Sequence, residues 1–226
     1  MPIHVSRIRA LCFDVDGTLS NTDDQFVALL ARWLRPFRPL LPGKSSRLAA
    51  RRLIMASESP ANFLLGLPDR LGFDKPLFAL ADWTASTFHH KVTKYWIIPG
   101  VKEMLADLSR RYPLAVVSAR DERTTYGFLE QFHLLPYFRC IAIDQTCRHT
   151  KPYPDPILWA ARQMGVPPEA CLMVGDTTVD IRAGKAAGAQ TIGVLCGFGE
   201  EQELRQRGAD MILNDTGELS QVLETG

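Results

Sequence analysis

Arg9-Ala10-Leu11-Cys12-Phe13-Asp14-Val15-Asp16-Gly17-Thr18-Leu19 sets an apolar run directly against two aspartates, a glycine and a threonine. Ile8 to Phe13 is short, apolar and bounded by polar residues, which is the pattern of a buried parallel strand. Two carboxylates at i and i+2 just past such a strand stand where open α/β sheets bind their ligands. Bringing Asp14 and Asp16 into one small site concentrates about two negative charges there, which is costly unless a cation or a shared proton offsets them. Gly17 lets the backbone turn or approach a ligand closely. The donors are hard oxygens, and a hard divalent ion, Mg2+, answers them.

The 226 residues suffice for one large domain, or for a core with a smaller insert, and the 46% hydrophobic content supports a sizeable core. A net charge of +1 provides no overall field for nucleic acid or a membrane surface. The five cysteines (Cys12, Cys140, Cys147, Cys171 and Cys196) show no CxxC or paired spacing, and read as buried reduced thiols of a reducing cytoplasm. No apolar stretch approaches the roughly 18–20 residues of a membrane span. Met1 to Arg9 lacks the long apolar segment of a signal peptide.

Downstream of Leu19, Thr22 and Gln25 fit a capping box, and Phe26, Leu29, Leu30, Trp33 and Leu34 recur at helical spacing until Pro36. Helical pattern resumes over about 46–55 and 76–95, with no convincing strand between Thr22 and Trp96. From Pro113 onward strands and helices alternate. Leu114–Val117, Cys140–Ile143, Cys171–Val174, Thr191–Leu195 and Asp210–Leu213 are expected strands. Asp121 is an expected N-cap, as is Asp155 ahead of Pro156, and Gly165 and Gly188 are placed to end helices. Strands separated by helices of this length imply βαβ units and a parallel sheet. The change of pattern divides the chain into an α/β core, residues 1–20 and 97–226, and an all-helical insert, 21–96.

Four short motifs fall at predicted strand ends or in the loops beside them. They are Asp14-Val15-Asp16-Gly17-Thr18-Leu19, Ser118 after the second strand, Lys151-Pro152-Tyr153-Pro154, and Gly175-Asp176-Thr177-Thr178-Val179-Asp180. In this order they resemble the four motifs of the haloacid dehalogenase superfamily, most of whose members are phosphatases. The branch they look most like is the phosphoglycolate phosphatase-like and β-phosphoglucomutase-like one, which carries a helical cap at this insertion point. The resemblance implies a Rossmann-like doubly wound parallel sheet core with an inserted all-helical cap domain. One departure stands in the second motif: many relatives have Asn after the hydroxyl residue, where this chain has Ala119 followed by Arg120.

By that resemblance Asp14 is the nucleophile and Asp16 the general acid and base. Ser118 and Lys151 bind the phosphoryl oxygens, and Asp14, Asp176 and the Asp16 backbone carbonyl are the protein ligands of Mg2+. Asp180 either orients that shell or binds the metal through water, or it simply stabilises a helix start. In the insert, Arg47 and Arg51, with Arg52, His89, His90 and Lys91, are candidate contacts for an acidic substrate, against the plainer reading of a solvated basic face. The expected partner is a small phosphorylated metabolite, with no nucleic acid and no membrane, and the protein is expected as a monomer or homodimer. A phosphomutase would share all four motifs. A non-catalytic phospho-acceptor or binding module is a rival of a different class, and Asp16 argues against it because a long-lived phospho-aspartate has no use for an acid/base group.

Overall fold

A computed structural model describes residues 3–21, 32–36 and 95–224. Its sheet contains β1 (Ala10–Phe13), β2 (Leu114–Val117), β3 (Phe138–Ala142), β4 (Cys171–Gly175), β5 (Gln190–Val194) and β6 (Met211–Leu213). Around it lie α1 (Val101–Leu108), α2 (Glu122–Gln131), α3 (Asp155–Met164), α4 (Thr178–Ala187), α5 (Glu201–Gln206) and α6 (Leu219–Glu224). All neighbouring strands run parallel, in the order β3-β2-β1-β4-β5-β6. The chain builds outward from β1 to β3, then crosses back to lay β4 beside β1. The order therefore reverses between β1 and β4, which opens a crevice beyond their C-terminal ends.

The sequence accounts for this arrangement. Every residue of β1, β2 and β4 is buried, so these strands read as continuous apolar runs because both faces are covered. On α1 the buried positions are Val101, Met104, Leu105 and Leu108, one helical stripe. Helix α4 has small residues where it meets the sheet. A Cβ at Gly184 would stand 2.5 Å from Thr191 Cγ2 and 3.1 Å from Met173 Cβ, so the glycine lets helix and strands approach closely. One core cluster gathers Ala10, Cys12, Ala115, Val117 and Met173 of the sheet with Ile157, Ala160 and Ala161 of α3 and Ala183 and Ala187 of α4.

Some local expectations shift. Strand β3 begins at Phe138, two residues earlier than its apolar core suggests. Asp155 is the first residue of α3 and not its N-cap. Pro154 already has helical backbone angles (φ −73°, ψ −15°), so two prolines in three residues start the helix one position early. The Asp155 carboxylate instead meets His149 Nδ1 at 3.0 Å. Asp121 does cap α2, accepting from the Thr124 N–H at 2.9 Å. Cys12 and Cys171 are buried, whereas Cys140, Cys147 and Cys196 are only half-buried, and all five are free.

The chain divides into two compact units, Met1–Asp23 with Tyr95–Gly226, and Asp24–Lys94. Within the first unit the segments on either side of the insertion run together. The Asn21 N–H donates to the Trp96 carbonyl at 2.8 Å and the Ile98 N–H to the Leu19 carbonyl at 3.0 Å. The expected helix over 46–55, residues 76–94 of the one expected over 76–95, the Thr22–Gln25 capping box and the candidate contacts Arg47, Arg51, Arg52, His89, His90 and Lys91 lie outside the described residues. No helix among the described residues is long and apolar enough to cross a membrane.

Candidate active site

Asp14 is the residue after β1, and its N–H donates to the Val174 carbonyl of β4 at 3.0 Å, which fixes it at the reversal of strand order. The chain then turns tightly. The N–H groups of Leu19 and Ser20 both donate to the Val15 carbonyl, at 2.9 and 2.8 Å, and the Gly17 N–H donates to the Ser20 carbonyl at 2.9 Å. Gly17 has φ +66°, and a Cβ there would overlap the Asp176 carboxylate. A Cβ at Gly197, in the loop after β5, would overlap the same carboxylate. The two glycines thus form a cradle that holds Asp176, which follows β4, and the Phe198 N–H donates to its Oδ2 at 2.6 Å. Thr216 braces the turn from outside, donating its hydroxyl to the Thr18 carbonyl at 2.6 Å.

Lys151 reaches this point from the loop before α3, with only 4% of its side chain exposed. Its ammonium donates to Asp14 Oδ1 and to Asp180 Oδ1, each at 2.6 Å. The other oxygen of Asp180 accepts from the Thr177 N–H at 3.0 Å and the Thr177 hydroxyl at 2.6 Å. Asp180 therefore serves a helix start with one oxygen and the site with the other, so the two readings of this residue are compatible. Ser118 is buried at the end of β2, and its Oγ accepts from the Arg120 N–H at 3.1 Å. Its hydroxyl hydrogen is still available for donation toward an oxyanion.

The Asp16 carboxylate is not one of the partners of Lys151 and is paired elsewhere. Its Oδ1 is ion-paired with the Arg120 guanidinium, in a sheltered position with side-chain exposures of 18% and 12%. Arg120 in turn lies over the Tyr95 ring, 5.8 Å from its centroid. Sequence reasoning missed this contact. The one signal for it was that the second motif departs from the family pattern at 119–120.

Carboxylate oxygens of Asp14, Asp176 and Asp180, all buried, lie within 4.8 Å of one another. Burial pushes Asp14 up to about 7, and the negative charges of Asp180 and Asp16 add to this, while Lys151 pulls the other way. Burial works against the charge on Lys151, but Asp14 and Asp180 outweigh it and hold the ammonium firmly protonated. Lys151 is shared between two carboxylates with a third, Asp176, beside them, so the cluster is short of positive charge that a divalent cation would supply. The donors are all oxygen and Asp176 is seated in a glycine cradle, so the residues present fit a hard ion such as Mg2+.

A doubly wound parallel sheet with this acidic, lysine-bearing crevice at its reversal point defines an α/β enzyme whose chemistry lies at the C-terminal strand ends. The sequence pattern of the haloacid dehalogenase-like hydrolases matches residues 11–194, and the chain belongs to that family. It is a hydrolase of the phosphatase type. Its relatives include a phosphoglycolate phosphatase of Nitrosococcus oceani, 31% identical, with 94% of this chain and 95% of the relative covered. A pyrophosphatase PpaX of Bacillus pumilus is 29% identical, with 95% of each chain covered. Among solved structures, a hydrolase from Pseudomonas syringae superposes with a TM-score of 0.72 at 24% identity, covering 96% of this chain and 98% of its own. A β-phosphoglucomutase-like structure from Thermotoga maritima gives a TM-score of 0.63 at 22% identity, covering 96% and 99%. These two similarities carry the fold alone.

Proposed function

We propose that the protein is a Mg2+-dependent phosphatase that hydrolyses a small-molecule phosphate monoester through an aspartyl-phosphate on Asp14. The observation that carries this reading is the buried Lys151 shared between Asp14 and Asp180, beside Asp176, at the β1/β4 crevice. Such an arrangement supplies a fixed carboxylate nucleophile and neutralises charge around it, which is most of what phosphoryl transfer requires. Asp14 attacks phosphorus, the bond from phosphorus to the leaving oxygen breaks, and Asp16 gives that oxygen a proton. Asp16 then takes a proton from the water that attacks the aspartyl-phosphate, which releases inorganic phosphate and restores Asp14. Ser118 and Lys151 hold the phosphoryl oxygens during both transfers.

Asp14, Asp176 and the Asp16 carbonyl would hold Mg2+, with Asp180 supporting them from behind. The bound ion would neutralise charge on the phosphoryl oxygens. The names of the relatives point to small anionic substrates, phosphoglycolate or pyrophosphate. The insert, residues 21–96, would act as a helical cap over the crevice, with Arg47 and Arg51 as contacts for the leaving group. We place the enzyme in the cytoplasm, as a monomer or homodimer, without nucleic-acid or membrane partners.

The test is phosphate release from a panel of small esters and pyrophosphate, with Mg2+ or with chelator, beside Asp14→Asn. Metal-dependent release that vanishes in the variant supports the proposal. Retention of a tenth of wild-type activity by Asp14→Asn removes Asp14 as the nucleophile. Turnover only with a bisphosphate activator makes the protein a phosphomutase instead.

A further inference from the structure

We infer that Arg120 is a positioning residue that fixes the Asp16 carboxylate for proton transfer. This rests on the reading of Asp16 as acid and base. Three of the four aspartates of the site are divided between two cations: Lys151 takes Asp14 and Asp180, and Arg120 takes Asp16. The Asp16 carboxylate is thus engaged by Arg120 and is not one of the cluster of Asp14, Asp176 and Asp180 that fits a metal. The contact engages Asp16 Oδ1, and the proton exchange is assigned to Oδ2.

Arg120 is itself held from three sides. Its N–H donates to Ser118 Oγ at 3.1 Å, and its carbonyl accepts from the Asp144 N–H at 3.1 Å. Its guanidinium lies over the Tyr95 ring. Tyr95 is clamped by Gln131, which accepts from its N–H at 3.2 Å and donates to its carbonyl at 2.9 Å, and its ring meets Phe128 edge-on with centroids 6.1 Å apart. A planar, permanently charged fork on a fixed backbone suits the task of holding a carboxylate in one orientation. The same hydroxyl that would touch the phosphoryl group anchors the arginine, so the phosphate site and the proton donor share one loop. General acid–base catalysis depends on such geometry, because a carboxylate displaced by about 1 Å loses around a hundredfold in rate.

The experiment compares wild type, Arg120→Met, Asp16→Asn and the double variant with Mg2+, using phenyl phosphate and p-nitrophenyl phosphate as probes. Nitrophenolate leaves without help from a proton and phenolate does not. Arg120→Met is expected to lower kcat on phenyl phosphate about 10- to 100-fold with KM changed less than about threefold. Its loss in kcat/KM should be several-fold smaller for p-nitrophenyl phosphate, and Arg120→Lys, which keeps charge without the fork, should fall between wild type and Arg120→Met. In the Asp16→Asn background, removing Arg120 should cost nothing further. Wild-type kinetics in Arg120→Met and Arg120→Lys would overturn the inference. So would an equal loss in both backgrounds, which would mean that Arg120 acts on substrate directly. An Asp16→Asn variant as fast as wild type would remove the acid/base reading itself, and absence of wild-type turnover with both aryl esters, the panel of small esters and pyrophosphate would remove the phosphatase reading. Either result is distinguishable from a failure of Arg120 alone.

Discussion

Two lysine–aspartate pairs in this protein are alike in chemistry and length and differ in what surrounds them. Lys185 on α4 donates to Asp210 Oδ2 at 2.5 Å, and the same oxygen accepts from the Thr191 N–H at 2.9 Å and the Thr191 hydroxyl at 3.2 Å. Donors outnumber the carboxylate, and although burial opposes it, the hydrogen bonds from Lys185 and Thr191 hold Asp210 below the usual aspartate range. Lys151 also donates to Asp14, but it is divided between two carboxylates with Asp176 beside them, and burial raises Asp14 to about 7. The first pair is saturated and ties α4 to the segment before β6. The second is short of positive charge and lies in the crevice. The balance of donors against carboxylates, more than the pairing itself, separates scaffold from site.

The two pairs should differ most sharply at Asp14. Asp14→Asn is expected to reduce turnover by about 10⁴-fold or more while the fold survives, since it removes one negative charge from an over-charged cluster. Steady-state phosphate release and a thermal melt of the same sample check both halves. Lys151→Met should lose about 10²–10³-fold in kcat and also melt well below wild type, because two buried carboxylates lose their partner. Mg2+ should recover part of that melting loss.

Metal linkage gives an intermediate effect. Mg2+ at about 100 times its dissociation constant should stabilise the wild type by about 2.7 kcal/mol. Asp210→Asn should keep that shift and Asp176→Asn should lose it, as read by melting with and without chelator. The smallest effect belongs to the saturated pair. Asp210→Asn should cost about 1 kcal/mol of stability, limited by the exposure of Lys185, and leave kcat within about twofold. Because the folded state lowers this pKa, the contribution of Asp210 is present at neutral pH and fades as pH falls through the lowered value. Urea titrations of wild type and variant should therefore converge in acid.

Much of this architecture was legible in the chain because short-range patterns encode it. The apolar runs of β1, β2 and β4 follow from burial on both faces, and Gly165 and Gly188 end α3 and α4 in the left-handed conformation, with φ +70° and +81°. Asp14, Ser118 and Asp176 follow the ends of β1, β2 and β4, which a parallel sheet must bring to one edge, and Lys151 and Asp180 reach Asp14 and one another from the loop before α3 and the first turn of α4. What was not legible depends on contacts between distant segments. Arg120 meets Asp16 across 104 positions of sequence, and nothing local marks the partner. Residues 197–199 suggest a loop near the edge of the site, but nothing in the sequence gives Gly197 a role until Asp176 is seen packed against it. Asp155 has the look of an N-cap, but Pro154 takes up helical angles first, so the shift is decided by the backbone of a neighbour.

In the proposed reaction the phosphoryl group passes through Asp14. Wild-type enzyme quenched in acid during Mg2+-supported turnover of its best ester, then digested and sequenced by mass spectrometry, tests it directly. A phosphoryl group is expected on Asp14 in the peptide that spans β1, and is expected to be absent from the same peptide of Asp14→Asn. Sustained turnover with no phosphorylated Asp14, or with the phosphoryl group on another side chain, would contradict it.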